Sequence, residues 1–131
     1  MGIMRYLLDT HTLLWWLFDD PKLSQQARET IATPENEILV SAASAWEIST
    51  KHRLGKLPEA GDIVDQFAAY VQKARFIALD VSVAHALLAG RLPGPHRDPS
   101  DRMLIAQARI LDVPIVTTDP VFGSYEVVVV W

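Results

Sequence analysis

The sequence predicts an α/β fold: a mainly parallel sheet with helices over both faces. Two observations carry this. Short apolar runs alternate with longer stretches of helical periodicity along the 131 residues, the order that builds parallel strands joined by helical crossovers. The runs are also continuously apolar instead of apolar at every second position, as strands buried on both faces must be. Half of the residues are hydrophobic and no cysteine is present. A chain of this size buries about two-thirds of its unfolded surface and needs no disulfide or metal staple. With no linker-like stretch to divide it, residues 1–131 are expected to form a single domain.

The elements follow from local pattern. Met4 to Leu8 reads as a strand and Thr12 to Phe18 as a helix, broken by Asp19-Asp20-Pro21. Helical periodicity resumes over Ser24 to Ala32, followed by a strand at Ile38 to Val40. A long helix from Ala42 to Leu54 is stopped by Gly55, because glycine accepts the left-handed conformation that terminates helices. A further helix at Ile63 to Lys73 leads to a strand at Phe76 to Leu79. The next, Val81 to Ala89, is expected to end at Gly90 before the loop Pro93-Gly94-Pro95. Pro99 opens a helix to Leu111, and strands at Ile115 to Thr118 and Val127 to Val130 complete the chain.

Composition removes several function classes. Without cysteine there is no thiolate zinc site and no cysteine nucleophile. No secretory signal is visible, since the first apolar run is broken at Asp9, and Leu13 to Phe18 is too short to cross a bilayer. A cytoplasmic protein without a membrane partner is expected. The formal net charge of −4 argues against a uniformly basic nucleic-acid surface. Phosphate loops, dinucleotide fingerprints and the nucleophile elbow of ester hydrolases are absent. The four histidines form no zinc signature. Asp9-Thr10-His11-Thr12 offers His11 where a haloacid dehalogenase-type phosphatase needs a second aspartate.

What remains is carboxylate chemistry. Asp9 and Asp119 end two strands, where open sheets bind ligands. Glu47 lies early in the helix after Ile38 to Val40, and Asp98 and Asp101 occupy the first turn opened by Pro99. Acids converging on one rim repel and are costly to desolvate unless a cation or shared protons offset them. Oxygen ligands of this kind select Mg²⁺ or Mn²⁺. Each acid also has a structural reading. Asp9 and Asp98 suit helix N-caps, Ser44-x-x-Glu47 has the spacing of a capping box, and Asp80, alone at a strand end, reads as a cap only. Basic residues rim the acids: Lys51, His52, Arg53 and Lys56 after Glu47, and Arg91, His96, Arg97 and Arg102 around Asp98 and Asp101. They suit phosphate contact or an ordinary solvated face.

Four segments in order then become informative: Leu7-Leu8-Asp9-Thr10-His11; Ser41 to Leu57; His96-Arg97-Asp98-Pro99-Ser100-Asp101-Arg102 with Leu104-Ile105-Ala106-Gln107-Ala108; and Thr117-Thr118-Asp119. Together they resemble the PIN-domain family, and within it the VapC-type toxins of bacterial toxin-antitoxin pairs. The resemblance implies a three-layer α/β/α sandwich. It implies a Mg²⁺- or Mn²⁺-dependent ribonuclease, commonly dimeric and held by a cognate antitoxin protein. The family's acidic quartet falls on Asp9, Glu47, Asp101 and Asp119, with Asp98 the other candidate for the third acid. Asp9 and Asp101 are expected to bind metal directly, with Glu47 and Asp119 completing the site and Thr10, Thr117 or Thr118 orienting carboxylates. The implied chemistry is in-line attack on an RNA phosphodiester by metal-activated water, leaving 5′-phosphate and 3′-hydroxyl ends.

Lys51, Arg53, Arg97 and Arg102 are the expected RNA-binding residues. Two other functions fit the same residues: a PIN-like binding module that has lost turnover, and a metal-dependent phosphatase acting on small phosphate esters. On the helix at Thr12 to Phe18, Leu13, Leu14 and Leu17 share a face and Trp15 points nearly opposite. Either the helix at Ser24 to Ala32 covers that indole, or Trp15 and Trp16 anchor a homodimer or antitoxin contact.

Overall fold

Five strands, β1 (Arg5–Leu8), β2 (Glu37–Ser41), β3 (Ile77–Leu79), β4 (Ile115–Val116) and β5 (Val129–Val130), form one sheet in the order β3-β2-β1-β4-β5, every neighbouring pair parallel. The computed structural model describes residues 4–131, so residues 1–3 of the expected domain lie outside the described residues. Leu7 stands opposite Leu39 on one side and Ile115 on the other. Successive side chains on a strand point to opposite faces, and here both directions are apolar. Leu7, Leu39 and Ile115 enter one core with Leu104, Ile105 and Phe122. Leu8, Ile38, Val40 and Val116 enter a second with Leu13, Ile31 and Ile48. Each fully buried leucine contributes about 1.5–3 kcal/mol, which holds the register against a one-residue slip.

Helices supply the outer layers. α1 (Thr10–Leu17), α2 (Gln25–Ala32), α3 (Ala42–Arg53), α4 (Gly61–Asp65) and α5 (Phe67–Lys73) bury side chains in the core around Leu8. α6 (Val83–Arg91) and α7 (Pro99–Leu111) cover the opposite face. The three-layer architecture is the one expected. No helix among the described residues is long and apolar enough to cross a membrane. The chain builds outward from β1 to β3, then crosses to β4 and β5. The strand order therefore reverses direction between β1 and β4, the point at which open α/β sheets receive ligands. Asp9 follows one of these strands and Thr117 the other.

Several local expectations are corrected. The helix expected from Ile63 to Lys73 starts at Gly61 and breaks at Gln66, whose φ of −126° and ψ of 34° leave the helical region. Asp62 bridges that break, accepting from Gln66 Nε2 at 3.3 Å and from the Tyr70 hydroxyl. Gly90 does not stop α6, which runs on to Arg91. The guanidinium of Arg102 donates to the carbonyls of Ala89, Leu92 and His96, so a side chain from α7 satisfies the orphan acceptors that a glycine cap would otherwise satisfy. Asp80 is exposed and caps nothing. Ser82 caps α6, with His85 completing the reciprocal pair.

Ser44 and Glu47 form no capping box, because α3 already begins at Ala42 with Ser41 as its cap. The strands expected at Ile115 to Thr118 and Val127 to Val130 shrink to two residues each. Between them Pro120–Tyr125 forms a 3₁₀ helix capped by Asp119, the same Asp-Pro start seen at Asp98-Pro99.

Trp15 is half-buried within the chain, packed against the core that holds Ala27 and Ile31 of α2. Trp131 meets its ring edge-on at 5.7 Å, His11 lies at 6.0 Å, and the Lys22 ammonium stands 5.9 Å from the ring centroid. Trp16 packs beside Phe76 at 6.2 Å. The exposed indole is instead Trp46 on α3, at 59%. Trp131→Ala should therefore remove about 1 kcal/mol of aromatic pairing plus the ring's buried area and open Trp15 to a fluorescence quencher. Unchanged quenching would show that Trp15 has another cover.

Candidate metal centre

The site is organised around Glu47, a carboxylate buried on the inner side of α3 with 8% exposure. Its Oε1 accepts from Thr10 Oγ1 at 2.7 Å and from Ser100 Oγ at 2.7 Å, and its Oε2 accepts from Lys51 Nζ at 2.5 Å. Thr10 is the first residue of α1, Ser100 lies in the first turn of α7, and Lys51 is one turn further along α3. Three separate elements thus converge on one side chain. Ser44 Oγ, 3.0 Å from Thr10 Oγ1, is a second and longer partner of the same hydroxyl.

α7 delivers two more carboxylates by its mode of starting. Asp98 is the N-cap and accepts from Asp101 N at 3.0 Å, with Pro99 at the first helical position, which aims both side chains from the helix start. Ser100 Oγ is also 2.8 Å from Asp98 Oδ1, so its single proton is shared between two carboxylates. Glu47, Asp98 and Asp101 each present an oxygen within 4.8 Å of the others. Both candidates for the third acid therefore lie in the same cluster.

Asp9 and Asp119 stand apart from that triplet. Asp9 caps α1, accepting from Thr12 N at 2.7 Å, and its other oxygen accepts from the Thr117 hydroxyl. Thr117 Oγ1 in turn accepts from Asp119 N at 3.0 Å, while Asp119 Oδ1 accepts from Val121 N to start the 3₁₀ helix. Thr117 thus ties the two acids across the β1–β4 switch point. Thr10 links this pair to Glu47. Thr118 is exposed and orients nothing.

The electrostatics show strain that a cation would relieve. Burial pushes the Asp101 carboxyl up from 3.8 to about 6; its hydrogen bond to His96 opposes this, and the charges of Asp98 and Glu47 add to it. Burial also raises Asp9 despite the hydrogen bonds from Thr117 and Thr12. Asp98 moves the other way: burial disfavours its charge, but the Asp101 N–H, the Ser100 hydroxyl and Lys51 together hold it below the usual range. Burial opposes the charge of Lys51 as well, and Glu47, Asp98 and Asp101 outweigh it, raising the ammonium. A crowded donor set of oxygens only fits a hard divalent cation. The same environment supplies a single lysine as counter-charge.

The basic residues divide. Arg53 and Arg97 are exposed and make no ion pair among the described residues. Lys51 faces the acids. Arg102 is committed to three carbonyls, which corrects its reading as an RNA contact. His96, grouped in sequence with the basic rim, places Nε2 at 2.9 Å from Asp101 Oδ2. Ser100 was not singled out either, although its position between Asp98 and Asp101 at a helix start was the available signal.

The chain is thus an α/β/α sandwich with acids gathered at the switch point of its sheet. The sequence profile of the PIN domain matches residues 6–127, and the chain belongs to the PIN domain family. Ribonuclease VapC22 of Mycobacterium tuberculosis is 28% identical over 86% of this chain and 85% of its own. Among solved structures, VapBC2 from Rickettsia felis bound to a promoter DNA fragment superposes with a TM-score of 0.71 at 16% identity, covering 96% of this chain and 97% of that one. VapC20 of M. tuberculosis, a Sarcin-Ricin loop cleaving toxin, gives 0.69 at 14% identity, covering 94% and 96%.

The Asp101 shift has a measurable sign. A carboxyl whose folded pKa is raised binds its proton more tightly folded than unfolded, so its contribution is present at low pH and is lost between 3.8 and about 6 as pH rises. The metal-free chain should lose stability relative to its Asp101→Asn variant across that window and run parallel to it above. Urea unfolding at steps of pH measures the difference. Curves parallel throughout would place the strain elsewhere.

Proposed function

We propose that the chain is a Mg²⁺- or Mn²⁺-dependent endoribonuclease acting as the toxin of a toxin-antitoxin pair. The observation that carries this is the triplet Glu47, Asp98 and Asp101 within 4.8 Å beside the switch point of a PIN domain. The names of VapC22 and VapC20 support RNA as substrate. The VapBC2 complex supports a protein antitoxin as partner. The compartment that suits both is the cytoplasm.

In this reading Glu47, Asp98 and Asp101 hold the cation, and Asp9 and Asp119 complete the acidic rim. When bound, the ion supplies Lewis-acid stabilisation of phosphate charge and acidifies a water for in-line attack. The chain's own residues do the positioning. Thr10 and Ser100 fix the Glu47 carboxylate, Thr117 fixes Asp9, and His96 holds Asp101 through a bond that favours its ionised form. Lys51 balances the cluster between turnovers. Arg53 and Arg97 are the free cations available to flanking phosphates.

Asp9→Asn or Asp101→Asn should abolish metal-dependent RNA cleavage, while the metal-free melting temperature holds or rises because one repelling charge is removed. Asp80→Asn, remote from the cluster, should cut RNA normally. Assays with structured RNA and a small phosphate ester, each with and without Mg²⁺ and Mn²⁺, discriminate the readings. Ester turnover alone favours a phosphatase, and metal binding without turnover a binding module. Full RNA cleavage by pure Asp9→Asn removes that residue from the site.

If Arg53 and Arg97 grip single-stranded RNA, replacing each with alanine should reduce the magnitude of the log K against log salt slope by about 0.7. Lys51→Ala should weaken metal loading control without this change in slope. An unchanged slope in the Arg53→Ala, Arg97→Ala double variant assigns both to solvent.

A further inference from the structure

The loop Pro93-Gly94-Pro95-His96 forms one wall of a cavity of about 730 Å³ whose opposite wall is the 3₁₀ helix of Pro120–Tyr125 and Glu126. This space lies outside the acidic cluster, yet His96 belongs to both: it lines the cavity, and its Nε2 is 2.9 Å from Asp101 Oδ2. One imidazole therefore separates the cavity from the carboxylates. The volume is that of a small-molecule or nucleotide subsite. Pro93, Pro95, Val121 and the Tyr125 ring supply flat apolar wall.

The polar groups are specific. Arg109 and Glu126 face each other with Nη2 and Oε2 3.7 Å apart, too far for a hydrogen bond. Both keep donor and acceptor capacity for a third party. Glu126 reaches this place from a left-handed backbone, φ +63° and ψ 37°, a conformation that costs a residue with a Cβ about 1 kcal/mol. The Tyr125 hydroxyl is buried without a partner beneath Gly94, where an added Cβ would stand 2.6 Å from it. Gly94 itself has φ +98°. The Glu126 carboxylate and the Arg109 fork thus stand together at one wall, above the buried Tyr125 hydroxyl.

We propose that this cavity is a base-reading subsite that receives one guanine of the RNA chain, next to the phosphate at the metal centre. Guanine presents O6 and N7 acceptors to an arginine fork, and its N1–H and N2–H₂ pair suits a carboxylate accepting twice. Tyr125 and the two prolines supply the apolar wall against the ring. Exposed Arg91 and Arg97 bracket the loop and suit the approach of a polyanion over that of a peptide. The proposal rests on the ribonuclease reading for its substrate class, but the cavity can be tested apart from turnover.

The four ribonucleoside 5′-monophosphates are titrated into the metal-free chain while the amide signals of Gly94, His96, Ser124 and Glu126 are followed. GMP should bind about tenfold tighter than the other three, and Glu126→Gln should erase that margin. In parallel, wild type, Glu126→Gln, Arg109→Ala and Tyr125→Phe cut a randomised RNA. Glu126→Gln and Arg109→Ala should lose the preference for guanine beside the cut. Tyr125→Phe also removes an unpaired buried hydroxyl and should fold at least as stably as wild type. Equal affinity for all four monophosphates, or tighter binding of another base, overturns the proposal, as does an unchanged cut profile. Loss of antitoxin affinity with an unchanged profile would assign the cavity to the protein partner instead. A wild type that cuts no RNA sinks the ribonuclease reading and leaves the monophosphate titration to judge the cavity.

Discussion

Repulsion among the carboxylates at one rim of the sheet is the constraint to which the surrounding residues answer. Two unit charges 4 Å apart interact by about 4 kcal/mol at an effective dielectric near 20. A hydrogen bond to a charged group returns about 1.5–3 kcal/mol. The hydroxyls of Thr10, Ser100 and Thr117 and the Lys51 ammonium each oppose part of that repulsion, yet they do not cancel it. Burial first, with the charges of Asp98 and Glu47 adding to it, keeps a proton on Asp101 up to about 6. A bound divalent cation would replace that proton and the lysine's charge together.

This constraint explains why the site needs the whole architecture. Glu47 and its partners come from α1 and α3 in one outer layer and from α7 in the other. Only a parallel sheet whose strands all end on the same edge brings the starts of those helices together. The direction reversal between β1 and β4 leaves room for Asp9 and Thr117 to meet. Arg102 then ties the C-terminal end of α6 to the start of α7, holding the loop that carries His96. Packing and chemistry share this one loop.

Much of the site was legible along the chain. Asp98-Pro99-Ser100-Asp101 announces a helix start through residue types alone, because an aspartate cap and a proline at the first helical position act within four residues. Asp119-Pro120 carries the same signal, and the 3₁₀ helix it starts competes with the reading of Asp119 as a strand end. Gly90 failed as a stop because the competing cap, Arg102, arrives from another helix. Trp15 reads along the chain as an indole needing cover, but the share supplied by Trp131 comes from the far end of the chain, where no local pattern reaches. Lys51 and Arg102 looked like free cations for the same reason: their partners are set by tertiary approach.

The sequence by itself determined the parallel sheet, its helical layers and the candidate acids, since each rests on short-range pattern: apolar runs, caps and turn residues whose effects span a few positions. The tertiary structure alone decided which acids share a cluster. It drew Glu47, Asp98 and Asp101 within reach, linked Asp9 to Asp119 through Thr117, and placed His96 between the carboxylates and a separate cavity. Those relations depend on ångström distances between residues dozens of positions apart, where hydrogen bonds and Coulomb terms change steeply and linear spacing carries no information.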